Sequence, residues 1–298
     1  MGFTYYDKNE SSPIQTVEAS LAGDTQKKKA KMKMILKHTT VLMIVLLMLA
    51  GTMAQAAEQP SKLPAGKWKL MFKDEFSGAD KEQDKAWEFQ NGPSGHILCS
   101  RWRENAVVTN GILRLLAKKE ERGGQKWTAA SMWTKNKFLY GYFECRYKYA
   151  KAKGTNNSFW LMTRDRAEAK ATGDKNVDAI EGQFEVDINE GHYPDKINMN
   201  IHNWSGKHWA KSKEKKAEGM NLADTYHTYG LEWNKEELIW FFDGKEIRRE
   251  KNTICHKPTP VWLSLAIIKW AGPVTDAIDG TSMDVDYVRV YQKETAGQ

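Results

Sequence analysis

From residue 68 to residue 291 the chain is a succession of short segments in which apolar and polar residues alternate, and a period of two marks a half-buried β-strand. The pattern predicts strands over residues 68–72, 107–109, 112–117, 129–133, 140–149, 158–162, 184–188, 196–202, 227–233, 238–242, 262–267 and 283–291. Turn chemistry separates them: Asn110-Gly111, Gly123-Gly124 and Asp243-Gly244 each lie between two such runs, and Asp243-Gly244 is predicted to close a hairpin. Two stretches break the pattern, residues 164–175 and the charged run 207–219. Both read as helical or irregular surface loops of the kind that often rim a binding site. No repeat or low-complexity linker interrupts the chain, so the expectation is one all-β domain.

The first 56 residues do not share this pattern. A basic run, Lys27-Lys28-Lys29-Ala30-Lys31 continuing to Lys37, precedes an apolar stretch from Val41 to Ala50 and then Ala54-Gln55-Ala56. That is the three-part layout of a signal peptide, with an apolar part too short to span a bilayer. Cleavage is expected after Ala56, with Met32 or Met34 as the start and a secreted or periplasmic product no longer attached to a membrane. The chain is therefore divided into residues 1–56, an extension with its signal peptide, and residues 57–298, a domain of about 240 residues, a length suited to a single β-sandwich.

Charge narrows the partners. The full chain carries 45 Lys and Arg against 38 Asp and Glu; without residues 1–56, which hold seven and four, the balance falls from +7 to 38 − 34 = +4. This suits an anionic polymer without requiring one, and it is short of the clustered basic surface of a nucleic-acid binder. Three cysteines, Cys99, Cys145 and Cys255, allow one disulfide or three buried thiols. All twelve Trp lie beyond residue 60. Most Trp in a sandwich are core, but an aromatic face also stacks on a sugar ring, and about four are assigned here to a cleft.

The sharpest chemical signal is Phe184-Glu185-Val186-Asp187-Ile188-Asn189-Glu190, with three acids in six residues on a predicted strand. Alternation puts Glu185 and Asp187 on one face and Val186 and Ile188 in the core, and it would send Glu190 to the wrong side. One extra residue at Ile188-Asn189, a β-bulge, returns Glu190 to the face of the others. The two glutamates are then about 13 Å apart along the strand, and their side chains can lean to the ~5–5.5 Å separation of a retaining glycosidase. Asp187 between them can orient Glu185 and help keep Glu190 protonated. A solvated acidic strand edge is the bland alternative. Calcium loops place a Gly among their acids, which this stretch lacks, so no metal or other cofactor is expected.

These residues, with Phe72-Lys73-Asp74-Glu75-Phe76-Ser77-Gly78, Tyr140-Gly141-Tyr142-Phe143-Glu144-Cys145-Arg146, Tyr226-His227-Thr228-Tyr229-Gly230-Leu231-Glu232-Trp233, Phe242-Asp243-Gly244 and Val285-Asp286-Tyr287-Val288-Arg289-Val290-Tyr291, resemble glycoside hydrolase family 16. The resemblance implies a concanavalin-like β-jelly-roll sandwich of two antiparallel sheets with an open substrate cleft. It also implies retaining endo-hydrolysis, with Glu185 as nucleophile, Asp187 as assisting acid and Glu190 as acid/base. Residues 97–105 and 198–204 look most like the porphyranase and agarase side of the family, and residues 262–270 depart from the Asn-containing stretch usual in β-1,3-glucanases. Porphyran, a sulfated red-algal galactan, is the substrate the resemblance favours; agarase, κ-carrageenase and endo-β-1,3-glucanase remain alternatives, and outside enzymes a jelly-roll lectin. Trp102, Trp160, Trp204 and Trp270 are read as sugar-stacking residues, His202 as a hydroxyl binder, and Arg101, Arg103 and Lys269 as candidates to meet sulfates. Core packing or surface charge is the alternative for each. A monomer acting on a polysaccharide is expected.

Overall fold

The computed structural model describes residues 61–294, together with Met1 and Gly2. The chain divides into Met1–Pro60 and Ser61–Gln298. The predicted signal peptide and its cleavage after Ala56 lie outside the described residues, so only the second unit is considered below.

Two antiparallel sheets carry the fold, their strands numbered in chain order. One runs β15 (Lys245–Lys251), β14 (Glu237–Phe242), β13 (His227–Trp233), β8 (Gly141–Lys148), β17 (Ser282–Lys293), β5 (Ile112–Leu116) and β4 (Ala106–Thr109). Beyond β5, the far half of the long β17 pairs with β1 (Trp68–Asp74). The other runs β12 (Trp209–Lys216), β11 (Lys196–Asn203), β10 (Phe184–His192), β9 (Thr155–Met162), β16 (Val261–Ile267), β7 (Ser131–Thr134) and β2 (Trp87–Phe89). A small parallel pair, β3 (Cys99–Arg101) and β6 (Trp127–Ala129), lies apart. Alternate residues of both large sheets meet in one core, which includes Phe143, Tyr147, Tyr229, Trp233 and Trp240 from the first and Phe159, Leu161, Phe184, Val186, Met199 and Leu263 from the second. Burying each such side chain is worth roughly 1.5–3 kcal/mol, so the sandwich is held chiefly by its apolar faces. Among the described residues no helix is long and apolar enough to cross a membrane.

The turn signals act as predicted. Asn110 and Gly111 (φ 54° and 73°) join β4 to β5, and Asp243 and Gly244 (φ 48° and 75°) close the β14–β15 hairpin. Motifs outside the acidic strand turn out to be scaffold. Arg289 makes a bidentate pair with Glu75 (2.8 and 2.9 Å), Trp87 donates to Asp74 (2.8 Å), and Asp243 accepts from the Thr228 amide (2.9 Å). All three cysteines are buried free thiols.

Two expectations are corrected. The run 207–219, read as a loop, contains β12, whose eight residues pair with β11 along its whole length. Every one is exposed, so the strand has no apolar face to betray it. Pairing to β11 and anchoring by Arg248, which donates to the carbonyls of Met199 (2.6 Å) and Lys211 (3.3 Å), hold it in place. Its lysines suit an unpaired edge, where charge discourages a further strand. The predicted strand 129–133 is two strands in different sheets. The Ala129 carbonyl accepts from Trp102 (3.0 Å) and that of Ala130 from Leu265 (3.0 Å), so the backbone changes partner at a point alternation cannot reveal. The other irregular stretch, residues 164–175, contains a short helix, Asp165–Ala171.

Candidate active site

The bulge predicted in β10 is present. Against β9, Asp187 pairs with Trp160 and Asn189 with the very next residue along, Phe159; against β11, Asp187 pairs with Asn200 and Glu190 with Asn198. One residue of β10 is thereby unmatched on each side. Ile188 and Val186 point into the core, and Glu185, Asp187 and Glu190 share the opposite, outer face of the seven-stranded sheet.

Hydrogen bonds show that shared face directly. The Asn200 amide donates both to Asp187 Oδ2 (2.8 Å) and to Glu190 Oε2 (2.9 Å), and Asn156 donates to Glu190 Oε1 (2.5 Å). Trp204 Nε1 donates to Glu185 Oε2 (2.9 Å), and Glu185 is hydrogen-bonded to Asp187. His202 Nε2 stands 3.5 Å from Asp187 Oδ2. Oxygens of Glu185 and Asp187 and a ring nitrogen of His202 lie within 4.8 Å of one another, a set that could reach a cation.

Burial is the first cause of the electrostatics here. It pushes Glu185 and Asp187 well above the usual carboxylate range, Glu185 further raised by the charge of Asp187, and Asp187 by that of Glu190. Glu190 is raised too, by burial, against the pull of Asn156, His202, Arg101 and Asn200. Three close acids therefore titrate as a unit that resists losing its last proton. A carboxyl whose pKa rises on folding favours the folded state below its unfolded value, near 4, and that advantage is lost as pH climbs through the raised folded value. Asp187→Asn removes this liability, so Tm should rise at pH 7, and the gain should vanish near pH 4. Calorimetry at the two pH values checks it, and an equal shift at both would refute the linkage.

Aromatic residues flank the acids. Trp160, Trp262 and Trp133 are register partners on β9, β16 and β7, with successive ring centroids 4.6 Å apart and Asp187 next in the same row. The Arg164 guanidinium covers Trp133 at 4.1 Å. On the other side Trp204 stacks on His208 (4.1 Å), and His202 stacks on both at 5.5 Å. Of the predicted site residues, then, Trp160, His202 and Trp204 join the acids. Arg101 does as well: it is buried and its charge reaches Glu190, yet among the described residues its side chain's only hydrogen bond is a long one to Gln90 (3.3 Å) and its Nε has no partner.

The rest make no hydrogen bond or ion pair with the three acids among the described residues. Trp102 bonds to Ser100 and has the Arg122 guanidinium 3.7 Å over its ring. Arg103 is ion-paired with Asp80 and Asp84. Lys269 and Trp270 are exposed on the turn after β16, with no bond to the acids among the described residues. Residues not singled out above are Asn156, Asn200, His208, Trp133 and Trp262. Asn198, Asn200 and His202 alternate along β11, and that period of two on a strand beside the acids was the available signal.

Solved structures place this sandwich in a class. It superposes on SCLam, a non-specific endo-beta-1,3(4)-glucanase from family GH16, with TM-score 0.66 and 28% identity over 79% of this chain and 95% of that one. Residues 96–289 match the model of glycosyl hydrolases family 16, and the chain belongs to that family, whose members hydrolyse glycosidic bonds. Relatives include a beta-glucanase of Rhodothermus marinus (26% identical, 88% of this chain, 96% of that protein) and beta-porphyranase B of Zobellia galactanivorans (30% identical, 71% of this chain, 80% of that protein).

Proposed function

We propose that this endo-glycosidase works with retention through Glu185 and Glu190. Glu190 gives its proton to the glycosidic oxygen while a Glu185 oxygen attacks the anomeric carbon; the C–O bond breaks and a glycosyl-Glu185 ester forms. Glu190, now ionised, takes a proton from water, which attacks the same carbon and frees Glu185. Asp187 holds Glu185 by their hydrogen bond. The observation that carries this reading is the Asn200 amide gripping Asp187 and Glu190 together on the face where Asp187 also meets Glu185.

For substrate we favour a β-linked red-algal galactan, porphyran before agarose or κ-carrageenan. Arg101 supports it: a buried guanidinium without an ion pair among the described residues is costly unless an anion joins it, and a sulfate ester suits its fork. The identity with a porphyranase points the same way. The glucanase relatives favour a second reading, an endo-β-1,3-glucanase. Residues 1–56 are read as an extension whose signal peptide is removed after Ala56, exporting the enzyme. The test is to incubate residues 57–298 with porphyran, agarose, κ-carrageenan and laminarin and to measure new reducing ends. Porphyran should release most; release from laminarin alone would overturn the galactan choice and leave the hydrolase intact.

A further inference from the structure

Behind the acids, inside the sandwich, the bulge has its own fastening. Asn189 is fully buried, and its amide donates one proton to each of two tyrosines, Tyr147 on β8 of the opposite sheet (2.6 Å) and Tyr149 just past the end of that strand (2.8 Å). Burial holds both phenols far above their ordinary pKa, so they remain neutral donors. Each passes its own proton on to a backbone carbonyl beside β10: Tyr147 to Asn157 on β9 (3.3 Å), Tyr149 to Lys196 on β11 (3.1 Å). One side chain at the bulge is thus tied to both neighbouring strands.

Adjacent residues share the task. Asn157 donates to the Gly191 carbonyl (2.9 Å), and Trp240 to that of Asp187 (2.9 Å). Gly191 is required by crowding, since a Cβ there would come within 2.3 Å of the Tyr149 ring. Asp187, Asn189 and Gly191 are therefore held from the interior, and Glu190 lies between the last two.

We propose that Asn189, through Tyr147 and Tyr149, is a positioning residue that sets where Glu190 stands relative to Glu185. A buried amide is an expensive way to fill a core site, and its Oδ1 finds no partner among the described residues. Leucine would fill the same volume without that penalty, and it would leave the bulge free to slide. Misplacing a reacting group by about 1 Å costs up to ~100-fold in rate.

The inference rests on Glu190 acting as the acid, and the test separates the two. For Asn189→Leu, and for the Tyr147→Phe/Tyr149→Phe double variant in case the first folds poorly, kcat/KM on the polysaccharide should fall about 10–100-fold. On a 2,4-dinitrophenyl glycoside of the same oligosaccharide, whose leaving group needs no proton, the loss should be several-fold smaller. Equal losses on both substrates, or a lower Tm with kcat/KM within twofold of the parent, overturn the proposal. Crystal structures of the variants give a readout that holds even if no polysaccharide is cleaved: Glu190 should part from Asn156 and Asn200, and an unmoved Glu190 rejects the positioning role.

Discussion

Glu185→Gln should lower kcat by at least about 10^4-fold while leaving oligosaccharide affinity nearly unchanged, as expected when the group that bonds to the substrate is lost and its shape is kept. An amide cannot attack the anomeric carbon, yet it can still accept from Trp204 Nε1, so the surrounding site should stay in place. Titration calorimetry with an oligosaccharide, beside reducing-end release from the polymer, checks both halves. Persisting hydrolysis would end the assignment of Glu185; intact binding with no parental cleavage of any polymer would favour a lectin.

Glu190→Ala should cost about 10^2–10^4-fold on the polymer, the usual range for a lost general acid. Its pattern differs from that of Glu185→Gln. A dinitrophenyl glycoside should still form the glycosyl-Glu185 ester, and added azide should then release it as the β-glycosyl azide, because attack comes from the face Glu190 has vacated. An α-azide, or no rescue with the ester undetectable by mass spectrometry, would show that the roles of the two glutamates are misassigned.

Much of this was legible before the fold was known, because each signal came from local chemistry. Asn110-Gly111 and Asp243-Gly244 announce their hairpins because those residues tolerate positive φ. The bulge could be inferred because Glu190 stands five positions after Glu185, an odd step on a lattice of period two. The rest depends on pairing. Nothing in residues 209–216 marks them as a strand when all eight side chains face water. Trp133 and Trp262 become a wall beside the acids only because register aligns them with Trp160 and Asp187. Arg103 resembled an anion contact because its two carboxylate partners, Asp80 and Asp84, are about 20 residues away in sequence.

The extra residue in β10 has a consequence for how such a site can change over generations. A strand lacking Ile188 would bring its second glutamate to the outer face without any irregularity, since the two would then stand four positions apart. An insertion or deletion of a single codon is thus neutral for which acids meet the solvent and decisive for what faces inward: two consecutive side chains, Ile188 and Asn189, instead of one. The irregular form gains an interior berth, and a lineage that loses the codon would have to rebuild from elsewhere the hold we propose for Glu190.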